Sequence, residues 1–298
     1  MKPNFYMMVG LPGSGKSTYA EKLEQVIDVS IISSDSIREE LYNDASIQGD
    51  NNEVFAEVHK RIIDNLTCGN SVIYDACNIS YKRRKAFLNE IKGLVGQSIC
   101  ILMATPVFQC MKNNANRDRQ VPNSVINRML QSFNVPYYYE GWDTINIVYS
   151  KEALKLKGRQ SPKDFAVLTN CFEHDNSHHK NTVGMHCYKM AHDFPINSIK
   201  YNICMLHDCG KLYTKSFKDS KGADCKEAHY YNHQYVGAYD SLFYNTNGFD
   251  LLTAVVIMWH MQPFFNNTDS LKDKYETLWG KGLTDLIYEI HEKDVMYP

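Results

Sequence analysis

The sequence predicts an α/β unit, built on a parallel sheet with helices on both faces, followed by an all-α unit. Strand-like and helix-like segments alternate in the first half, which is typical of such a sheet. Apolar helical segments dominate the second half, and ten of the eleven histidines follow residue 170. At 298 residues the chain is long enough for two units. We predict units at residues 1–150 and 164–298, joined by a polar linker at 151–163 that contains Gly158 and Pro162.

The composition limits the class of protein. A hydrophobic fraction of 44% is sufficient for packed cores, and a formal net charge of −2 argues against broad coating of DNA. That charge still allows a local basic groove for a single strand. The nine cysteines form no C-x-x-C pair, and no apolar run approaches the ~20 residues of a membrane helix. We therefore expect a cytoplasmic protein with reduced thiols and no membrane contact.

Short apolar runs predict the strands, and segments with apolar residues at helical spacing predict the helices. The predicted strands are Phe5–Val9, Ser30–Ser33, Ser71–Tyr74, Ser98–Met103 and Ile145–Tyr149. The clearest predicted helices are Lys16–Gln25, Lys82–Leu94, Val183–Ala191, Ile199–His207 and Leu251–His260.

A glycine-rich segment lies between the first predicted strand and the first predicted helix. It reads G-x-x-x-x-G-K-S from Gly10 to Ser17, a pattern that cradles phosphate oxygens with backbone N–H groups at a helix N-terminus. The lysine neutralises the β- and γ-phosphates, and the serine hydroxyl binds Mg²⁺. An ordinary turn before a helix is the alternative. The predicted residues that bind ATP, or another nucleoside triphosphate, with Mg²⁺ are Gly10, Gly13, Ser14, Gly15, Lys16, Ser17 and Thr18.

Polar residues follow the second and third predicted strands, at the edge of the sheet where ligands bind. Asp35 is a candidate general base for an attacking hydroxyl, and Arg38 a candidate for holding the phosphate of the acceptor. Asp75 is a candidate for the water shell of Mg²⁺, and Asn78 for orienting the acceptor. The alternatives are an N-terminal helix cap with a surface arginine for the first pair, and a simple strand-end turn for Asp75.

A basic segment before Pro122 predicts a lid over the triphosphate. Arg117 and Arg119 are placed to stabilise the charge of the transferred phosphoryl group. A solvated cluster of surface charges is the alternative.

Together these motifs resemble the kinase domain of the polynucleotide 5′-kinase family over about residues 4–150. The resemblance extends to Asp75–Asn78, to the Val121–Ile126 region and to Glu140–Asp143. It implies that Lys16 and Ser17 bind the nucleotide, that Asp35 is the general base and that Arg117 stabilises the transition state. We also assign Arg84 to the acceptor site. The family's lid usually begins with Arg-Asn, whereas this chain has Asn113-Asn114 preceded by Lys112.

The second half contains three His-Asp doublets, of which His207-Asp208 is distinctive. It ends an apolar helical run and is followed three residues later by Lys211. Adjacent residues on a helix point about 100° apart, so both side chains can bind one metal, or the aspartate can bridge two. Imidazole and carboxylate ligands suit Mn, Fe, Co, Ni, Zn or Mg. His229 and His233 are four residues apart, which predicts that they share one helical face.

The second half contains a series of polar residues, most of them near helix ends: His186, His207, Asp208, Lys211, His229, His233, His260 and Asp294. With the segments His179-Lys180 and Val236–Ala238, this series resembles the HD phosphohydrolase superfamily over about residues 165–298. The all-α unit is accordingly expected to be an HD domain holding one or two divalent metals. The resemblance implies a catalytic role for Asp208, a phosphate contact for Lys211 and a substrate contact for His229. Asp285 competes with Asp294 as the last ligand, and a degenerate metal box is the alternative. The implied ligands are His186, His207, Asp208 and Asp294, with His233 and His260 for a second metal.

A 5′-kinase joined to a phosphohydrolase indicates end healing of nucleic acids. One unit adds phosphate to a 5′-OH, and the other removes a 2′,3′-cyclic or terminal phosphate. The expected partners are single-stranded or nicked RNA or DNA ends and a separate ligase. Two other functions fit the motifs: a small-molecule kinase fused to a nucleotide hydrolase, and a binding module gated by nucleotide or metal without turnover.

Overall fold

A computed structural model describes residues 2–43, 49–117, 119–265 and 268–298. The chain divides into two compact units. The first comprises Met1–Met129 and Pro136–Ala153, and the second comprises Leu130–Val135 and Leu154–Pro298.

The first unit contains a five-stranded parallel sheet. Its strands are β1 (Asn4–Val9), β2 (Ser30–Ser33), β3 (Val72–Asp75), β4 (Gln97–Ala104) and β5 (Thr144–Tyr149). Their spatial order is β2-β3-β1-β4-β5. All five predicted strands are present, with ends that differ from the predictions by at most one residue, so the prediction of an α/β unit is confirmed.

Helices follow the strands in the order expected for parallel connections. They are α1 (Lys16–Glu24), α2 (Ser34–Tyr42), α3 (Asn51–Thr67), α4 (Tyr81–Ile91), α5 (Val107–Ala115) and α6 (Asn123–Leu130). The α3 sequence shows why it packs on the sheet, because its buried residues recur every fourth position, at Val54, Val58, Ile62 and Leu66.

The second unit is mainly helical. Its helices are α7 (Lys151–Lys157), which begins in the first unit, α8 (Pro162–Leu168), α9 (Val183–Ala191), α10 (Ile199–Leu206), α11 (Lys211–Thr214), α12 (His233–Asp240), α13 (Asp250–Trp259), α14 (Gln262–Phe265), α15 (Asp269–Trp279) and α16 (Lys281–Met296). Short 3₁₀ turns lie at Tyr138–Glu140 in the first unit and Ser241–Phe243 in the second. None of the described helices is both long and apolar enough to cross a membrane.

The prediction that the second half is all-α was wrong. Strands β6 (Ser216–Lys218) and β7 (Asp224–His229) form an antiparallel hairpin. The Asp219 side chain accepts hydrogen bonds from the backbone N–H groups of Lys221 and Ala223, and Gly222 adopts a positive φ of 88°. Asp219 and Gly222 are residue types that commonly form turns, so the hairpin has a local signal in the sequence.

The segment predicted as a linker is also largely helical. It contains α7, and Pro162 begins α8 instead of interrupting a helix. Ser161 and Asp164 form a reciprocal cap at this helix N-terminus, where proline is well tolerated because its position needs no backbone N–H.

Candidate functional site

The first candidate site lies at the carboxyl edge of the parallel sheet, around the glycine-rich loop between β1 and α1. Gly13 and Gly15 have positive φ angles of 76° and 94°. A Cβ atom on Gly13 would lie 2.2 Å from the backbone oxygen of Cys110, so a side chain there would clash. The loop therefore requires glycine for both its conformation and its packing.

Two residues of this loop make informative contacts. The Ser17 hydroxyl donates a hydrogen bond of 2.7 Å to Oδ2 of Asp75 at the end of β3. The ammonium group of Lys16 donates to the backbone oxygen of Leu11, at 2.9 Å. The serine and aspartate predicted for Mg²⁺ thus lie together, and the lysine folds back over the loop.

Asp35 lies in the first turn of α2, among three arginines. Its carboxylate is 3.2 Å from Nη1 of Arg38, 2.5 Å from Nη1 of Arg119 and 3.6 Å from Nη2 of Arg117. The N-cap of α2 is Ser33, which accepts a hydrogen bond from the backbone N–H of Asp35, so Asp35 is not itself the cap. Side chains from α2 and from the segment predicted as a lid therefore converge on one half-exposed carboxylate.

Arg38 is 5% exposed, and its Nε has no hydrogen-bond partner among the residues that the structure describes. Burial lowers the pKa of this guanidinium, as does neighbouring Arg119, while Asp35 opposes them. Arg38 also donates to Oδ1 of Asn51, at 3.0 Å.

Arg84 and Asn78, which we predicted to contact substrate, make contacts within the protein. Arg84 is 1% exposed and forms a two-pronged ion pair with Glu140, at 2.6 and 2.7 Å. It also donates to the backbone oxygen of Asn78, at 2.8 Å. The Asn78 side chain donates to the backbone oxygen of Met8, at 2.9 Å. A substrate role for Arg84 therefore conflicts with its geometry, because both prongs of the guanidinium are engaged in a buried pair.

The Asn113-Asn114 pair has a structural explanation. The Asn113 side chain donates to the backbone oxygen of Gly13 in the phosphate loop, at 2.9 Å. Asn114 is buried and bonds both the N–H and the C=O of Val121. These asparagines connect the predicted lid to the phosphate loop.

The second candidate site is a buried cluster of histidines and aspartates in the second unit. The described residues contain two groups of potential metal ligands: His186, His207 and Asp294, and Asp208, His233 and His260. Within each group the ligand atoms lie within 4.8 Å of one another. All the histidine and aspartate ligands that we predicted are therefore close together.

Asp208 connects the two groups. Its Oδ2 is 3.3 Å from Nε2 of His207, and its Oδ1 is 3.5 Å from Nε2 of His233. Asp294 Oδ1 is 3.2 Å from Nε2 of His186. The competing Asp285 lies elsewhere, where it pairs with Lys272 at 3.5 Å.

The histidines of the cluster share one orientation. Each places Nδ1 against a backbone oxygen: His186 at Tyr297, His207 at Cys204, His233 at Tyr230 and His260 at Ile257. A hydrogen bond from Nδ1 to a backbone oxygen fixes the tautomer and leaves Nε2 available as a ligand. The Nε2 atoms face each other at 3.1 Å between His186 and His207, and at 3.3 Å between His233 and His260. Converging acceptors of this kind, beside two buried carboxylates, fit a divalent cation.

The electrostatics of the cluster agree with this fit. Burial lowers the pKa of His233 to about 4 and that of His260 to about 3, so both imidazoles are neutral and able to bind metal. Burial also acts to lower the pKa of His207, but Asp208 and Cys187 outweigh it and raise that pKa well above its usual value. Without a metal, a proton on His207 thus balances part of the acidic charge, and a cation can replace that proton.

Two histidines to which the sequence motifs assigned no role also reach this cluster. His174 is 1% exposed, and its Nε2 lies 3.9 Å from Oδ2 of Asp208. Within the described part of the chain, that nitrogen has no hydrogen-bond partner. His179 lies 3.1 Å from the ammonium group of Lys211, which is itself 2.7 Å from Asp208. The concentration of histidines between residues 174 and 179 was the available signal.

His229 ends β7, while His233 begins α12, so the prediction that they share a helix was wrong. Asn232, between them, adopts a left-handed conformation with φ of 62°, which separates the strand from the helix. Both residues line a cavity of about 690 Å³ that also reaches Asp208 and Lys211.

Comparison with known proteins supports the assignment of the first unit. Residues 5–136 match the sequence model of a family described as AAA domain. The chain is similar to L-seryl-tRNA(Sec) kinase of Methanococcus maripaludis, with 30% identity over 152 residues that cover 47% of this chain and 56% of that protein. It is also similar to transcription factor bHLH140 of Arabidopsis thaliana, with 26% identity over 64% of this chain and 21% of that protein.

The chain thus spans about half the length of the first of these relatives and about a fifth of the second. Among solved structures, it is similar to a chain of the Pnkp1/Rnl/Hen1 RNA repair complex, with 22% identity, a TM-score of 0.40 and coverage of 43% of this chain and 42% of that chain. Its parallel sheet, its glycine-rich loop and the family match make the first unit a P-loop kinase-like domain.

Proposed function

We propose that this protein is a bifunctional enzyme that heals nucleic-acid ends. The first unit transfers the γ-phosphate of ATP to a 5′-OH. The second removes a 2′,3′-cyclic phosphate or a terminal 2′- or 3′-phosphate, which leaves ends that a separate ligase can join.

The kinase half of the proposal rests chiefly on the convergence of Arg38, Arg117 and Arg119 on Asp35. A carboxylate at this sheet edge can accept the proton of an attacking hydroxyl once the carboxylate is no longer paired with an arginine. An incoming phosphate is a suitable competitor, because guanidinium groups bind phosphate oxygens in the same two-pronged way as carboxylates. When the nucleotide and the acceptor bind, their phosphates would therefore pair with the arginines in place of Asp35, which would leave the Asp35 carboxylate available as the base.

The other residues of this site have matching roles. The ammonium group of Lys16, which here donates to the backbone oxygen of Leu11, would instead donate to phosphate oxygens of the nucleotide. The Ser17–Asp75 pair would hold Mg²⁺, directly through the hydroxyl and through water at the carboxylate. Arg117 and Arg119 would then stabilise the charge on the transferred phosphoryl group.

The acceptor class rests on the resemblance of the motifs to polynucleotide 5′-kinases. The similar archaeal protein is named as a kinase of L-seryl-tRNA(Sec), which favours a hydroxyl carried by RNA over a free metabolite. Salt dependence distinguishes this proposal from a small-molecule kinase, because activity falls much more steeply with salt for a polyanionic acceptor than for a small one.

The test of the kinase half is transfer of labelled phosphate from ATP to a 5′-OH oligonucleotide. We expect labelling by the parent protein and a loss of at least 100-fold with Asp35→Ala, within the usual contribution of a general base. Arg159→Ala changes a residue of the second unit and is the matched control. Equal labelling by parent and Asp35→Ala would refute the assignment of the base.

The hydrolase half rests on the two groups of ligands joined by Asp208. These residues would hold a divalent ion, which would supply an activated water and polarise the oxygens of the phosphate ester. Asp208 and Asp294 provide negative charge for such ions, and Lys211, 2.7 Å from Asp208, is positioned to contact a substrate phosphate. His179 holds the Lys211 ammonium group against the cluster.

The test of the hydrolase half is release of a 2′,3′-cyclic phosphate end after the metal-free protein is reloaded with Mn, Fe, Co, Ni, Zn or Mg in separate reactions. We expect activity with at least one metal and none with Asp208→Ala. If no metal supports hydrolysis of cyclic or terminal phosphate ends, the hydrolase proposal is wrong.

A further inference from the structure

His174 is a buried histidine of the second unit that belongs to neither group of three close ligands. We propose that it is an additional metal ligand of the hydrolase site, and that it binds the same ion as Oδ2 of Asp208. This inference rests on the proposed hydrolase function and deepens it, because it adds a nitrogen ligand to which the sequence motifs assigned no role.

The hydrogen bonds of His174 match those of the other ligand histidines. Its Nδ1 lies 2.7 Å from the backbone oxygen of Asn181, and because a carbonyl oxygen only accepts, Nδ1 is the donor. In the neutral ring the available lone pair is then on Nε2. Nδ1 is bonded to a backbone oxygen in the same way at His186, His207, His233 and His260. His174 therefore presents the atom with which these histidines can bind a metal.

The Nε2 atom of His174 is close to a carboxylate but makes no hydrogen bond to it. Its distance of 3.9 Å from Oδ2 of Asp208 is too long for such a bond, and no described residue provides another partner. Buried polar atoms are nearly always paired, so a buried atom without a partner requires an explanation. A charge pair with Asp208 does not explain it, because Lys211 already brings a cation to the same oxygen, at 2.7 Å.

The distances fit ligands of one ion. Imidazole nitrogen and carboxylate oxygen bind Zn²⁺ at about 2.0–2.2 Å, so two such atoms on one ion are at most about 4.4 Å apart. The Nε2 atoms of His174, His186 and His207 lie 3.9, 3.6 and 3.3 Å from the same Oδ2 of Asp208. Each of these nitrogens is therefore close enough to that oxygen to share an ion with it.

Packing holds the His174 ring in this position. The rings of His174 and His179 are stacked, with centroids 3.9 Å apart and an angle of 16° between their planes. The Tyr230 hydroxyl donates to the backbone oxygen of His174, and the Tyr230 ring lies edge-on to the imidazole with centroids 6.2 Å apart. A ligand that is already held in place loses little conformational entropy when the ion binds.

A further imidazole also affects which metal the site prefers. Imidazole nitrogen suits Zn, Fe and Ni, whereas carboxylate, carbonyl and water oxygens suit Mg. With His174 the nitrogen ligands outnumber the carboxylates Asp208 and Asp294 further, so the expected ion is a transition metal rather than Mg²⁺. Co²⁺ is a suitable probe, because the visible absorption of this ion changes with its ligands.

The experiment titrates the metal-free protein with Co²⁺ and records both the heat of binding and the visible absorption of the bound ion. Two substitutions separate the roles of the two ring nitrogens. In His174→Asn the amide nitrogen can replace Nδ1 and keep the bond to Asn181, but no atom replaces Nε2. In His174→Gln the amide oxygen can reach the position of Nε2. His192→Asn, at an exposed histidine directly after α9, is the matched control.

We expect His174→Asn to raise the Kd of one bound Co²⁺ at least about 10-fold, because even the hydrogen-bonding partners of metal ligands contribute about 10- to 100-fold. The absorption spectrum of the bound Co²⁺ is expected to change as well. His174→Gln is expected to recover part of the affinity, and His192→Asn to match the parent protein in both measurements.

The possible failures are distinguishable. If the parent protein binds no Co²⁺, the proposed metal site and the inference are both overturned. If His174→Asn binds Co²⁺ with the Kd of the parent, only the inference is overturned. A raised Kd with an unchanged spectrum would mean that His174 acts through Asp208 and is not a ligand, which also overturns the inference alone. If His174→Asn does not fold, the spectrum of His174→Gln decides, because an oxygen in place of nitrogen changes it only when residue 174 binds the ion.

Discussion

The buried ion pair between Arg84 and Glu140 leads to a quantitative prediction about the first unit. Glu140 is 1% exposed and also accepts a hydrogen bond of 3.0 Å from the indole N–H of Trp142. Glu140→Ala would leave the Arg84 guanidinium charged and unpaired in the interior. Removing one partner of a buried pair costs about 3–5 kcal/mol of unfolding free energy.

Such a loss is readily measured. For a unit of about 150 residues, each kcal/mol shifts the unfolding midpoint by roughly 2–4 °C, so we expect Glu140→Ala to lower it by about 6–20 °C. The double variant Arg84→Met, Glu140→Leu removes both charges and is expected to recover much of the loss. Thermal unfolding followed by circular dichroism, with the parent protein as the reference, is the assay.

A different result would refute this account of Arg84. If Glu140→Ala unfolded at the temperature of the parent, the pair would not be buried as described. If Arg84→Ala left stability unchanged and raised only the KM for the acceptor, Arg84 would be a substrate contact after all. The structure favours a positioning role, in which Arg84 holds the backbone of Asn78 next to the catalytic edge.

Three further predictions concern the two sites. Ser17→Ala removes the hydroxyl next to Asp75 and is expected to raise the Mg²⁺ concentration needed for half-maximal kinase activity severalfold, as measured by metal titration. Asp294→Asn is expected to lower the metal content measured by elemental analysis, whereas Asp285→Asn leaves it unchanged; equal loss in both would contradict the ligand assignment. The free energy of unfolding of the metal-free protein is expected to fall as the pH is lowered from about 6.5 to about 4, because His233 takes up a proton in this range only when the chain unfolds. An unfolding temperature that does not change across that range would contradict this.

The sign of that pH effect follows from proton binding. The pKa of His233 is about 4 in the folded protein and near 6.5 in the unfolded chain. Between these values the unfolded state binds more protons, so acidification favours unfolding.

The extent to which the sequence predicts each feature depends on how local that feature is. The phosphate loop requires glycines at fixed spacing within one short segment, so its motif and its flanking strand and helix were predictable. The five strands were predictable because buried parallel strands are continuous apolar runs. In contrast, Arg84 and Glu140 are 56 residues apart, and nothing in the spacing shows that they meet.

The histidine cluster was predictable only in part from the sequence. His207 and His260 each follow an apolar helix directly, which made them candidates from sequence alone. The choice of Asp294 over Asp285 needed the packing of α16, because helical register leaves both possible. His174 precedes α9 in an irregular segment, so no periodic pattern indicated its contact with Asp208.

The most direct test of the two-site account uses one oligonucleotide with a 5′-OH at one end and a 2′,3′-cyclic phosphate at the other. The protein is incubated with this substrate, ATP and a divalent metal, and both ends are mapped by mass spectrometry. We expect a gain of 5′-phosphate that Asp35→Ala alone abolishes, and a loss of the cyclic end that Asp208→Ala alone abolishes. If neither end changes with any metal, or if one variant abolishes both reactions in folded protein, the account of two separate phosphoryl sites is contradicted.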